Sequence, residues 1–284
     1  MAGRLVDAHH HVWDLSTREQ AWLCGDAMAP IRRSFSAEDL RTAIADANAD
    51  VEATVVVQTV PLPDETSELL DLAAEDDLVA GVVGWADLTS AGVADDLAAL
   101  RESPGGQWLV GIRHLVQDEP ADWLRRPDVR RGLRAVGSAG LRYDLLTRPR
   151  QLAAAIETLA ALEDVEFVLD HCSKPPIADG EIDSWASDVR ALARRPNVTC
   201  KLSGLVTEAA PGNVGAPALA AYVDVVLDAF GPERLMFGSD WPVCLLATSY
   251  SGWLTTVHQL IGSLSEAERA AILGGTAARV YGLP

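Results

Sequence analysis

Leu5-Val6-Asp7-Ala8-His9-His10-His11, near the start of the 284-residue chain, reads as a short apolar strand ending in three histidines. An open, doubly wound sheet usually carries a glycine-rich phosphate turn directly after its first strand. Histidines stand in that place here. Seven more apolar, β-branched runs follow the Leu5–His9 run: Thr54–Gln58, Val79–Trp85, Leu109–His114, Leu141–Leu145, Glu166–Asp170, Val198–Leu202 and Leu235–Gly238. Between them lie segments of helical period. Ser36–Ala47 opens on an N-cap with Glu38 and Asp39 in the first turn, where carboxylates suit the helix dipole. Gln151–Leu162 repeats Leu152, Ile156 and Leu159 on one face, and Ala216–Phe230 does the same with Leu219, Val223, Val226 and Leu227. A last helix, Ser265–Leu273, again opens on a serine cap. Eight strand–helix units predict a parallel sheet closed into an α/β barrel of the (β/α)8 TIM type. With no repeat and no Pro/Gly-rich linker, one domain is expected over residues 1–284.

Composition narrows the partners. Nearly half the residues are apolar and the formal net charge is −18, spread along the whole chain. Such a surface repels nucleic acid and anionic membrane, which leaves a small-molecule substrate as the expected partner. The four cysteines form no C-x-x-C pair, and the first residues lack an apolar signal stretch, so a cytoplasmic setting is expected. Oligomeric state is not legible, and a homo-oligomer stays open.

Side chains alternate faces along a strand, so His9 and His11 point one way and His10 the other. Two imidazoles at the mouth of a barrel suit a metal ion, or two donors aimed at one carbonyl; a solvated strand end is the plainer reading. Other strand ends favour chemistry. His114 ends the fourth run, His171 follows the sixth, and Asp240 follows the eighth. Barrel active sites form where such C-terminal strand ends meet. The chain has only two lysines, Lys174 after the sixth run and Lys201 in the seventh. They are candidates to polarise a carbonyl or bind an anionic group, with a structural ion pair to Asp170 or Asp240 as the alternative. His114 is either a substrate contact or a satisfied core histidine, and Gln58 a hydrogen-bonding candidate. Trp13, Trp85 and Trp241 lie near strand ends, where an indole can stack on a sugar ring.

The successive stretches DAHHHVWDL, GIRHLVQDEP, DLLTRPRQL, LDHCSKPPI, KLSGLVTEA and FGSDWPV resemble, in order, the strand-end motifs of the amidohydrolase superfamily. The resemblance is to a lactonase-rich group that includes sugar lactonases, sulfomuconolactonase and the pyrone-dicarboxylate lactonase, and it spans essentially the whole chain. It implies that His9 and His11 are the family's H-x-H pair, His171 its later histidine and Asp240 its aspartate. His9, His11, His171 and Asp240 are then the expected metal ligands. Binuclear relatives carry a bridging lysine or glutamate at the fourth strand, where Arg113-His114 stands here, and many place a histidine in the fifth strand, which Arg142-Tyr143-Asp144-Leu145 lacks. One divalent ion, Zn²⁺ first, or none is therefore expected.

The implied reaction is lactone hydrolysis, with Asp240 as general base and His171, Lys174 and Lys201 assisting. Arg113, His114, Tyr143, Gln58 and Trp241 are the expected substrate contacts. Metal-dependent non-oxidative decarboxylation and a non-catalytic metabolite-binding barrel are the alternatives.

Overall fold

The computed structural model describes residues 4–284. Its strands are β1 Leu5–His10, β2 Val51–Val57, β3 Val79–Gly84, β4 Leu109–His114, β5 Arg142–Leu145, β6 Phe167–Leu169, β7 Val198–Leu202 and β8 Leu235–Phe237. The principal helices are α1 Ala37–Asp46, α2 Pro63–Glu75, α3 Val93–Glu102, α4 Pro127–Ser138, α5 Leu152–Ala161, α6 Asp183–Ala193, α7 Ala216–Phe230 and α8 Tyr250–Leu260. Neighbouring strands pair in parallel in the order β1 to β8. The ring closes beyond the end of β8, where the Asp240 amide donates to the His9 carbonyl (2.8 Å) and the His11 amide to the Trp241 carbonyl (2.7 Å). The (β/α)8 expectation is met, and the closing seam is also where His9, His11 and Asp240 meet.

Two apolar layers hold the barrel together. Val6, Ala8, Val55, Val57, Val168 and Met236 fill its interior. The opposite faces of the same strands, with Ile112, Tyr143, Leu145, Phe167 and Leu202, pack against the helices. α1 begins as the sequence suggests: Ser36 accepts from the Asp39 amide and the Asp39 carboxylate accepts from the Ser36 amide, a capping box worth about 1 kcal/mol. The last helix departs from expectation. It runs as α9 over Glu266–Ala270, widens to a π turn over Ala271–Gly275, and resumes as α10 over Thr276–Tyr281. α10 closes the N-terminal end of the barrel, with Ala277, Val280 and Tyr281 joining the interior cluster. No helix among the described residues is long and apolar enough to cross a membrane.

β1 does not alternate simply. Val6 and Ala8 share the interior cluster, yet His9 and His11 also face inward. A register irregularity between Asp7 and His10 inverts the alternation. Bulges of this kind re-aim side chains at barrel rims. His10 is left on the outer face, bonded to Thr54 Oγ1 at 3.0 Å.

Candidate active site

Four groups converge where β1, β6 and β8 end. His9 Nε2 and His11 Nε2 lie 3.2 Å apart. Asp240 Oδ1 stands 3.5 Å from His11 Nε2 and 3.8 Å from the Nε2 atoms of both His9 and His171. All four side chains are buried, and together they realise the convergence expected from the strand ends. Backbone strain helps to aim two of them. His171, Cys172, Ser173, Lys174 and Asp240 all have positive φ, between 49° and 59°. Such conformations in non-glycine residues concentrate at functional sites, where the surrounding structure enforces them. Close packing supports the other side. A Cβ on Gly204 (φ +65°) would sit 2.5 Å from His171 Nδ1, and one on Gly238 2.7 Å from His9 Cβ. Neither position admits a side chain.

Each imidazole is oriented from behind. His11 Nδ1 donates to the Val57 carbonyl (2.7 Å), which leaves Nε2 as the ring nitrogen that faces the cavity. His171 Nδ1 shares a hydrogen bond with Ser203 Oγ (2.9 Å). His9 Nδ1 lies 3.4 Å from Asp170 Oδ1 and 3.2 Å from Lys201 Nζ, and Arg113 Nη1 donates toward its Nε2 (3.3 Å). Burial, with Lys201 alongside, holds His9 well below the ordinary imidazole value, and burial pushes His171 down to about 4. Both rings are neutral at pH 7. Burial pushes the Asp240 carboxyl up, but His171, His11 and His9 outweigh that and hold it below the ordinary carboxylate range. It is a carboxylate throughout the neutral range.

Under these groups lies a floor of fixed charges. Lys201 Nζ donates to Asp144 and stands 3.2 Å from Asp170 Oδ1, while Arg113 Nη1 donates to Asp170 Oδ2 at 3.2 Å. Two cations therefore balance two carboxylates without exposure to water. From below, the Tyr281 hydroxyl reaches Asp144 at 2.8 Å, so α10 supports the floor. Burial raises Asp144 to about 6 despite Lys201, whereas at Asp170 the pull of Lys201, His9 and Arg113 overcomes burial and holds the carboxyl well down.

The donor set fits a single cation. His9, His11 and Asp240 each offer one ligand atom, all within 4.8 Å of one another. His11 Nε2 faces His9 Nε2 at 3.2 Å and Asp240 Oδ1 at 3.5 Å, so the three donor atoms surround one small volume. Two imidazole nitrogens and a carboxylate oxygen suit zinc. A second group, His9, Asp170 and His171, also satisfies the spacing, but there Arg113 and Lys201 already supply the positive charge.

A cavity of about 430 Å³ opens over the cluster, within the range of small-molecule sites. His11, His171 and Asp240 line it, with Arg113 and Lys174 among the other expected residues. Several expectations are corrected. Lys201 is fully buried and absent from the cavity wall; it can act on substrate only through His9 and Asp170. Tyr143 faces the helices, packed edge-on to Phe167, because its neighbour Asp144 points inward and adjacent strand residues oppose one another. His114 has both ring nitrogens engaged, Nδ1 by Trp85 Nε1 and Nε2 by Glu119 (3.0 Å each), and stacks on Trp123. Gln58 is spent on Arg113, whose Nη2 donates to its backbone oxygen. Trp241 packs edge-on against Phe35, and Trp13 against Phe35 and Trp22. None of Tyr143, His114, Gln58 and Trp241 reaches the cavity.

Sequence reading missed Trp22, Arg148, Asp118 and Glu208, all of which line it. Arg148 had a signal, since it lies in the strand-end stretch DLLTRPRQL. Trp22 had none, because it arrives from the long loop after β1.

Known proteins bear on this geometry. A protein named L-fucono-1,5-lactonase from Burkholderia ambifaria is 38% identical over 281 residues, covering 97% of this chain and 94% of that one. Another of the same name, from Burkholderia multivorans, is 40% identical over 299 residues and covers 100% and 98%. A crystal structure of a Burkholderia multivorans amidohydrolase with bound zinc superposes with TM-score 0.91 at 37% identity, covering 99% of this chain and 100% of that one. A family model described as amidohydrolase matches residues 6–283. With its histidines and aspartate gathered at the barrel mouth, the chain belongs to the amidohydrolase family.

Proposed function

We propose that this protein hydrolyses a sugar lactone, opening the ring to the corresponding hydroxy acid. The observation that carries the reading is the Asp240 carboxylate, within 3.8 Å of three imidazole nitrogens at the wall of a closed-floored cavity. Its two relatives named L-fucono-1,5-lactonase, each aligned over nearly the full chain, support the same reaction.

Charge selects among lactones. The cavity wall carries Arg113, Arg148 and Lys174 against Asp118, Glu208 and Asp240. Arg113 is held by Asp170, and Lys174 lies 3.7 Å from Glu208. Arg148 is left as the one cation of the wall without a carboxylate partner among the described residues. Trp22, Met28, Leu115 and Leu246 give an apolar side. A ring bearing hydroxyls and an apolar edge fits this wall; a dicarboxylate would bring two charges to one free cation and leave one unmatched and desolvated.

In the reaction, Asp240 accepts a proton as the water oxygen attacks the ring carbonyl carbon. The acyl C–O bond then breaks, and Asp240 returns that proton to the leaving ring oxygen. His11 and His171, locked by Val57 and Ser203, orient the water and carbonyl around Asp240. Arg113 and Lys201 keep His9 in place beneath them. We infer one divalent ion, zinc first, held by His9, His11 and Asp240; when bound, it supplies Lewis acidity and lowers the pKa of water.

The product acid releases one proton at neutral pH, so a pH indicator reads turnover on a panel of sugar lactones. Asp240→Asn keeps the shape and removes the base, with an expected loss in kcat of about 10²–10⁴-fold and a circular dichroism spectrum like wild type. Near-normal turnover in this variant would remove Asp240 from the mechanism. Release of carbon dioxide from an aromatic acid, with no acid from any lactone, would replace the reading with decarboxylation.

A further inference from the structure

A second cavity, of about 330 Å³, lies at the opposite end of the barrel, beside the starts of β4 and β5 and the end of α10. Its walls include Arg101, Gln107, Trp108, Arg142 and Tyr281. Arg101 Nη1 donates to the Ala139 carbonyl (3.0 Å) and Arg142 Nη1 to the Gly140 carbonyl (2.9 Å). Consecutive carbonyls of one turn thus anchor both guanidinium groups in the wall of the same cavity. Neither has a carboxylate partner among the described residues, although the chain carries a net charge of −18. Arg142 Nε is buried with no acceptor.

The anchoring atom matters. With Nη1 committed to a carbonyl and Arg142 Nε closed off, Arg142 offers its Nη2, and Arg101 the edge that carries Nε and Nη2. Two parallel N–H groups on that edge match the two oxygens of a carboxylate or phosphate. Another groove among the described residues, between α1 and α2, offers no such opening. Its Arg18 is paired to Glu68, its Asp39 closes the α1 capping box, and its Glu65 accepts from Thr59 and Val60.

We propose that this N-terminal cavity is a binding site for a small anionic metabolite, held through a carboxylate or phosphate group by Arg142 and Arg101. It is separate from the lactone site, and ligand there does not compete with substrate. The proposal stands whether or not the lactone reading does, because its test reads binding.

Melting temperature is followed at constant ionic strength, with chloride exchanged for inorganic phosphate in one series and for succinate in another. Calorimetric titration then measures affinity. A saturable rise in melting temperature at millimolar anion is expected. The stronger of the two series identifies whether phosphate or carboxylate is preferred. Arg142→Gln weakens affinity by about tenfold or more, the loss of a charge-assisted pair, and Arg101→Gln, on a more exposed residue, weakens it less. Both variants are expected to melt normally in chloride and to hydrolyse lactone at the wild-type rate. An equal response of wild type and the Arg101→Gln/Arg142→Gln double variant overturns the site, as does no response to either anion.

Discussion

Replacing Lys201 by Met tests the charged floor beneath the histidines. Met has similar length and no charge, so the change strips the ammonium while filling its space. Asp144 keeps the Tyr281 hydroxyl and Asp170 keeps Arg113, but both lose the cation they share. Removing one partner of a buried ion pair costs about 3–5 kcal/mol. With an unfolding entropy of about 2.1 cal/mol/K per residue, a 284-residue chain has about 0.6 kcal/mol/K in total, so the melting temperature should fall by about 5–8 °C at pH 8. The pH dependence adds a sign. Asp144 already titrates at about 6, above its ordinary value of 3.8, because burial outweighs Lys201. Without the lysine it rises further. A carboxyl raised in the folded state stabilises fully below its unfolded pKa, and that contribution is lost as pH rises through the folded value. The variant should therefore lose more stability than wild type between pH 5 and 8, and the gap in melting temperature should narrow toward pH 5. Calorimetric scans of both proteins at three pH values decide it. A gap below about 1 °C, or one that stays constant with pH, would refute the account of Lys201 as a buried counter-ion.

Other tests address the walls of the site. Gly204→Ala forces a Cβ to within 2.5 Å of His171 Nδ1 at a positive φ; a stability loss of about 1–3 kcal/mol and a fall in kcat of at least about tenfold are expected, and unchanged kinetics would show that His171 need not hold its position. Tyr143→Phe should leave kcat and KM near wild type, since the ring faces the helices; a large rise in KM would return Tyr143 to the substrate. Metal analysis of protein purified without chelator should find close to one zinc per chain, and chelation should reduce turnover. Two equivalents would mean that Arg113 and Lys201 do not fill the role of a second ion.

Much was legible in the sequence because it was local. Short apolar, β-branched runs alternate with apolar stripes of helical period, and that pattern alone implies eight parallel strands and a barrel. Strand ends are local too, so placing His9, His11, His171 and Asp240 together needed only the rule that barrel strands share one direction. Even the orientation of Tyr143 was available, since polar Arg142 and Asp144 flank it at i−1 and i+1 and must share the opposite face.

The rest required the closed ring. Lys201 sits at the end of a strand like the histidines, yet one layer of depth separates a wall residue from a buried counter-ion, and depth depends on the stagger between strands far apart in the chain. The inward turn of both His9 and His11 depends on an irregular register against β2. Tyr281 meets Asp144 across 137 positions because α10 folds under the barrel. Such contacts are set by which faces pack together, and no local period records that. Sequence chose the chemical groups and the fold that gathers them; the tertiary structure decided which of them face a ligand and which hold the others still.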